Sequence, residues 1–307
     1  MRSTIRQRGF TLVELIMVIV IMGAIGGMVS VFMKSPIDAY FDSARRAALT
    51  DLADTTVRRI ARDVRRALPN SLRPPTTSQC IEFIPTKTGG RYRADSTAAG
   101  LSFAAPPDTS FNMLGSNTTF AGTAIAADQR LADGDFIVVY NLGIAGSDAY
   151  ALNALNRATV NGTPTFVIGS NPPETNILLT TPQPNTSPTF SLESGGNRFH
   201  VVAAGEQSVT YVCANCTGTT PAGNGNGVLY RYVRAFSAAH SCPTTAGAIA
   251  TMVADGAAVL ANNVSSGSFT YNGTDLQRNA TVQINLSLTQ SNETVSLYHE
   301  VHAENTP

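Results

Sequence analysis

FTLVELIMVIVIMGAIGGMVSVFM, residues 10–33, holds 24 residues in which Glu14 is the only ionisable side chain. As a helix this run is roughly 36 Å long at about 1.5 Å per residue, enough to cross a hydrocarbon core of about 30 Å. MRSTIRQRG precedes it, with Arg2, Arg6 and Arg8 and no acid. Basic flanks stay on the cytoplasmic side, so the rest of the chain is expected outside the cytoplasm. A secretory signal peptide fits poorly, because its apolar region is shorter and ends at a small-x-small cleavage site. An isolated charge in lipid costs about 2.5–3.5 kcal/mol, so Glu14 is expected to have a partner and a function.

Outward from this segment, Leu49, Leu52, Ala53, Val57, Ile60, Ala61, Val64 and Leu68 recur at steps of three and four and predict an amphipathic continuation of the helix. Arg45, Arg46, Arg58, Arg59, Arg62, Arg65 and Arg66 fill the other face, with Asp51, Asp54 and Asp63 as possible partners one turn away. Pro69 is expected to end the helix. If unbroken from Phe10 to Leu68 it would be roughly 90 Å long.

Beyond Pro74 the period becomes strand-like: 81–85, 136–142, 166–169, 199–204, 208–213, 228–233, 269–272, 280–290 and 294–303 are β-prone runs separated by turn-forming residues. Val282, Ile284, Leu286 and Leu288 alternate with polar neighbours, and Gln290-Ser291-Asn292-Glu293 joins the last two runs into a terminal hairpin. Residues 170–189 and 214–227 read as surface loops, and Ala246–Leu260 as a short second helix. The fold class is therefore α+β, a long N-terminal helix packed on a large antiparallel β-rich body. Its segments are 1–9, 10–33, 34–68 and the body at 69–307.

The 307 residues carry 21 basic and 21 acidic side chains. Residues 1–73 hold 12 basic against 6 acidic, and 74–307 hold 9 against 15, so the helix and the body have opposite net charge. Overall neutrality argues against a bulk-charge polyanion binder, and no aromatic residue interleaves with the helix arginines, so no nucleic-acid partner is predicted. Cys80, Cys213, Cys216 and Cys242 all fall in the exported portion and favour structural bridges. Of three possible pairings, Cys213–Cys216 with Cys80–Cys242 ranks first, because Cys-Ala-Asn-Cys can close a tight loop. The CxxC enters a Thr/Gly/Asn-rich loop, with no helix start to lower a thiol pKa, which argues against redox catalysis. His299 and His302 fall on opposite faces of a strand, and Asp133-Gly134-Asp135 lacks the acidic spacing of a calcium loop. With no GxSxG, HExxH or P-loop, neither metal, cofactor nor enzyme is expected.

RQRGFTLVELIMVIV, residues 6–20, resembles the class III signal of type IV pilins and pseudopilins. The resemblance implies cleavage between Gly9 and Phe10 by a prepilin peptidase, N-methylation of Phe10, and Glu14 neutralising a subunit's new N-terminus as helices bundle. It further implies, as partners, other major and minor pilin subunits, an inner-membrane assembly platform and inner-membrane lipid. SLYHEVHAENTP, residues 296–307, is similar to the C-terminus of MshO-type proteins of MSHA pilus biogenesis, within the J-like and PilW-like group of minor subunits. A J-type pseudopilin of type II secretion, or a membrane-anchored periplasmic adhesin or enzyme, is the alternative. One departure is that Val31 stands where many pilins have a helix proline, which here comes at Pro36.

Overall fold

Thr11 starts the long helix in extended backbone, and α1 runs from Leu12 to Arg65 without interruption. The structure is a computed structural model that describes residues 9–73, 77–94, 99–170, 172–180, 188–273 and 279–306; Arg2, Arg6 and Arg8 lie outside them. Pro36 sits inside α1 and removes one backbone donor, yet the helix continues through it. The helix stops three residues short of Leu68. Ala67 bridges to Pro85, and Leu68 donates its N–H to Ile84 at 2.7 Å, so β pairing takes these residues before Pro69 is reached.

The strands are β1 (Cys80–Phe83), β2 (Thr88–Tyr92), β3 (Ser110–Leu114), β4 (Thr119–Phe120), β5 (Thr123–Ala124), β6 (Phe136–Val138), β7 (Arg157–Val160), β8 (Thr165–Val167), β9 (Glu174–Thr180), β10 (Arg198–Val202), β11 (Ser208–Ala214), β12 (Gly227–Arg234), β13 (Ala258–Asn272), β14 (Asn279–Gln290) and β15 (Glu293–Glu304). A second helix, α2 (Ala246–Ala254), precedes β13. All strand pairs are antiparallel. One sheet has the order β1-β11-β12-β13-β14-β15. The other runs β3-β2-β10-β6-β7-β9 and closes, because β9 pairs back to β3; β8 also pairs with β9. The β-rich body thus combines an open sheet under the helix with a small barrel beside it.

Helix α1 buries Leu49, Ala53, Val57, Ile60, Ala61 and Val64 against the inner face of the open sheet, where Val282, Ile284, Leu286 and Leu288 meet them. Leu52, expected on that face, is 37 % exposed, and Thr56 is buried in the helix face instead. Leu68 is buried elsewhere, in the cluster with Ile84, Val138, Tyr150 and Phe236 that joins the two sheets. The barrel has its own core around Phe111, Ile137, Ile177, Phe190 and Phe199. Gly90 lies there because a Cβ would stand 2.7 Å from the Phe199 ring. The terminal hairpin turns on Ser291 and Asn292, both at positive φ, which matches the twist of a two-residue hairpin loop.

Two expected boundaries are corrected. Helix α2 ends at Ala254, where Gly256 at φ +90 turns the chain, so Leu260 belongs to β13. Within 170–189 the chain forms β9, whose Ile177 and Leu179 enter the barrel core; residues 171 and 181–187 lie outside the described residues.

Two partly buried histidines are expected to make the fold acid-sensitive. Burial, with Arg198 adding to it, pushes His200 down to about 4, and its Nε2 is buried without a hydrogen bond among the described residues. The folded state therefore favours neutral His200, while the unfolded chain takes up a proton below about 6.5. This contribution is present above pH 6.5 and is lost as pH falls toward about 4, in total about 3 kcal/mol. Thermal melts of the full chain in detergent should show that loss, and His200→Asn should flatten the profile. An equal slope in the variant would refute the assignment. His240, also lowered by burial, acts in the same direction.

Candidate functional site

Gly9 is exposed, and nothing lies within 4 Å of where its Cβ would be, so the backbone at the Gly9–Phe10 bond is open. Phe10 is 86 % exposed. Thr11 and Glu14 form a capping box: the Thr11 N–H donates to Glu14 Oε2 at 2.9 Å, and the Glu14 N–H donates to Thr11 Oγ1 at 3.3 Å. The Thr11 hydroxyl donates to the same carboxylate oxygen at 3.0 Å. Within a single chain, Glu14 is thus held against the first turn by Thr11. The box satisfies donors that a helix start leaves open, which matters more in lipid, where water cannot. Sequence reasoning missed Thr11, although Thr-x-x-Glu ahead of an apolar run is the signal for it.

From Leu12 to Phe41 the apolar side chains of α1 are exposed, and no residue of the most apolar window is buried in the body. The helix is long and apolar enough to cross a membrane. The site therefore consists of an open peptide bond, an aromatic residue, a capped carboxylate and a protruding apolar rod, all on one axis.

The other singled-out residues lie in the body. Cys213 is bonded to Cys216 and Cys80 to Cys242, with Cα separations of 5.6 and 5.7 Å. The first pair closes the turn after β11, where a Cβ on Gly267 would run into Cys213 Sγ. The second ties β1 to the segment before α2. Asp133-Gly134-Asp135 is a turn in which buried Asp135 receives Lys87 at 2.7 Å and the Ala132 N–H at 2.9 Å. On β15, His299 points inward and His302 outward. Asp54 pairs with Arg58 at 2.6 Å, but Asp63 turns inward to the Tyr211 hydroxyl at 2.7 Å and Arg231 at 3.0 Å.

Glu82 is a second residue the sequence did not mark. It is 0 % exposed, and its oxygens accept from Arg234 at 2.8 Å, Ser208 Oγ at 2.8 Å and the Ser241 N–H at 3.1 Å. Arg73 stands 3.9 Å away, and its guanidinium lies over the Tyr150 ring. His240 Nε2 lies 3.5 Å from the same carboxylate. One acid thus fastens the exit of the helix, the end of β12 and the loop before α2.

Residues 5–30 match the prokaryotic N-terminal methylation motif, the signal of type IV pilins and pseudopilins. The match supports a type IV pilin-like protein. It places the open Gly9–Phe10 bond and Glu14 inside that signal, and it implies processing by a prepilin peptidase and assembly with other pilin subunits. The protruding helix of this pilin-like chain fits a single-pass inner-membrane anchor. No curated protein and no solved structure matches the chain.

Proposed function

We propose that this chain is a minor, non-catalytic structural subunit of an MSHA-type type IV pilus, of the MshO-like kind, acting in pilus biogenesis. A prepilin peptidase removes residues 1–9 and Phe10 is N-methylated. Residues 10–33 hold the subunit in the inner membrane with the body in the periplasm, and the helix then carries it into the filament at or near its tip. The observation that carries this reading is the motif over residues 5–30, seated on an exposed apolar helix in which Glu14 is the only ionisable group of residues 10–33. The similarity of residues 296–307 to MSHA biogenesis proteins favours that system over type II secretion.

The mass of the N-terminal peptide tests the reading directly: a mature chain starting at methylated Phe10 is expected. Replacing Gly9 with leucine should leave nearly all of the protein as the full-length precursor in the membrane, because a side chain then occupies the open bond. Unchanged processing of the variant on a gel would count against the cleavage assignment. Deleting the chain should reduce piliation; intact piliation with loss of a binding or catalytic activity would point to an adhesin or enzyme.

A further inference from the structure

The outward face of α1 beyond the membrane carries Arg58, Arg59, Arg62 and Arg65, followed by Arg66 at its C-cap, all exposed. Arg58 is paired with Asp54, and Arg66 donates to the Thr86 carbonyl. Arg59, Arg62 and Arg65 have no ion-pair partner among the described residues. Asp54, the nearest acid along the helix with an exposed side chain, is taken up by Arg58. Lipid headgroups do not explain this stripe. Arg58 lies 25 residues beyond Met33, roughly 37 Å along a continuous helix, several times the screening length of about 8 Å.

The opposite side of the same layer has the opposite charge. Strands β13, β14 and β15 contain no lysine or arginine, and the outward face of β15 exposes Glu300 and Glu304 beside Tyr298 and His302. Heights can be compared because β15 runs alongside the helix. Its first residue, Glu293, binds Arg46 at 2.7 Å, and just past its end Asn305 accepts from the Asn70 N–H at 3.2 Å. Seven strand residues from Glu293 to Glu300 advance roughly 23 Å, the rise of about fifteen helical residues, which brings Glu300 level with Arg62. By the same measure Glu304 comes level with about position 70, roughly 6 Å beyond Arg66, at the far edge of the stripe.

We infer that two membrane-anchored copies of this chain pair side by side, the arginine stripe of one resting on the outward β15 face of the other. The inference rests on residues 10–33 being the anchor, which holds both copies upright at one height, where Arg62 meets Glu300 without axial displacement. The contact is heterologous, helix face to sheet face, and belongs to subunits waiting in the membrane. Opposite net charges on the helix and the body favour this second copy over an uncharged partner.

Two differently tagged full-length chains in the same membranes test it, one with Thr55→Cys and the other with Ser296→Cys, both exposed and within about 4 Å of each other in height. All four native cysteines are in bridges, so each copy has one reactive thiol. Mild oxidation should give a disulfide-linked dimer bearing both tags. Adding Arg59→Glu and Arg62→Glu to the first copy should lower its yield about tenfold, and Glu300→Arg with Glu304→Arg on the second should restore it. Raising salt from about 0.1 M to about 1 M should also weaken it. No mixed dimer, a dimer only between Thr55→Cys copies, a link to a chain of another mass, or a yield insensitive to charge reversal would each overturn the proposal. The same gel reports leader removal, so processed chains that fail to cross-link refute the contact alone. Cross-linked but uncleaved chains refute the pilin-like reading instead.

Discussion

Valine in place of Glu14 is expected to leave leader removal and the folded body intact while cutting recovery of the chain in sheared filaments by at least about tenfold. The carboxylate lies within a helix face that is otherwise apolar, and among the described residues of the single chain it is engaged only by Thr11. On the proposed cleavage after Gly9, Phe10 would carry an ammonium four residues from Glu14 in sequence. A charge left unpaired in lipid costs about 2.5–3.5 kcal/mol, equivalent to roughly a hundredfold in an equilibrium, so docking without the acid is disfavoured. Losing the capping box costs less, about 1 kcal/mol. Glu14→Gln separates the two, since it keeps an acceptor for Thr11 but no charge. If glutamine restores incorporation, the cap and not the ion pair is what assembly needs; normal recovery of the valine variant would remove Glu14 from assembly altogether.

A second large effect is expected at Glu82. Glu82→Gln keeps the shape but leaves Arg234 and Arg73 facing a neutral group in a site with no exposure on the acid side. Breaking a buried ion pair by removing one partner costs about 3–5 kcal/mol. For a body of this size that lowers the melting temperature by roughly 6–20 °C. Thermal unfolding of the full chain in detergent, with both bridges intact, measures it, and a shift under about 2 °C would show that the cluster contributes little to stability.

Much of this architecture was readable before any coordinates. The anchor, the amphipathic face at Leu49 to Val64 and the terminal hairpin follow from strong periodicity, and each of the nine β-prone runs contributes to a strand. What the sequence hid has specific causes. Strand β2 is TGGRY, two glycines whose low strand preference conceals that Gly90 makes room for Phe199. Strand β9 lies in a stretch punctuated by prolines, and its short alternation of Ile177 and Leu179 is drowned by them. Closure of the barrel depends on β9 pairing with β3 about sixty residues earlier, a long-range match that no local pattern encodes. The box at Thr11 was legible as Thr-x-x-Glu, whereas the convergence on Glu82 was not, because its partners are spread from Arg73 to Ser241.

The way α1 lies along β15 also decides how the subunit bears tension. A pull on the membrane end acts along the helix axis, parallel to the strand beside it, so the interlocked side chains from Leu49 to Val64 resist sliding together and are not peeled apart in sequence. The pull reaches the sheet through β13–β15, and the barrel through the Leu68 cluster at the exit of the helix. Traction on the apolar end would therefore load the broad helix–sheet face first and draw the barrel after it through the chain beyond Arg65.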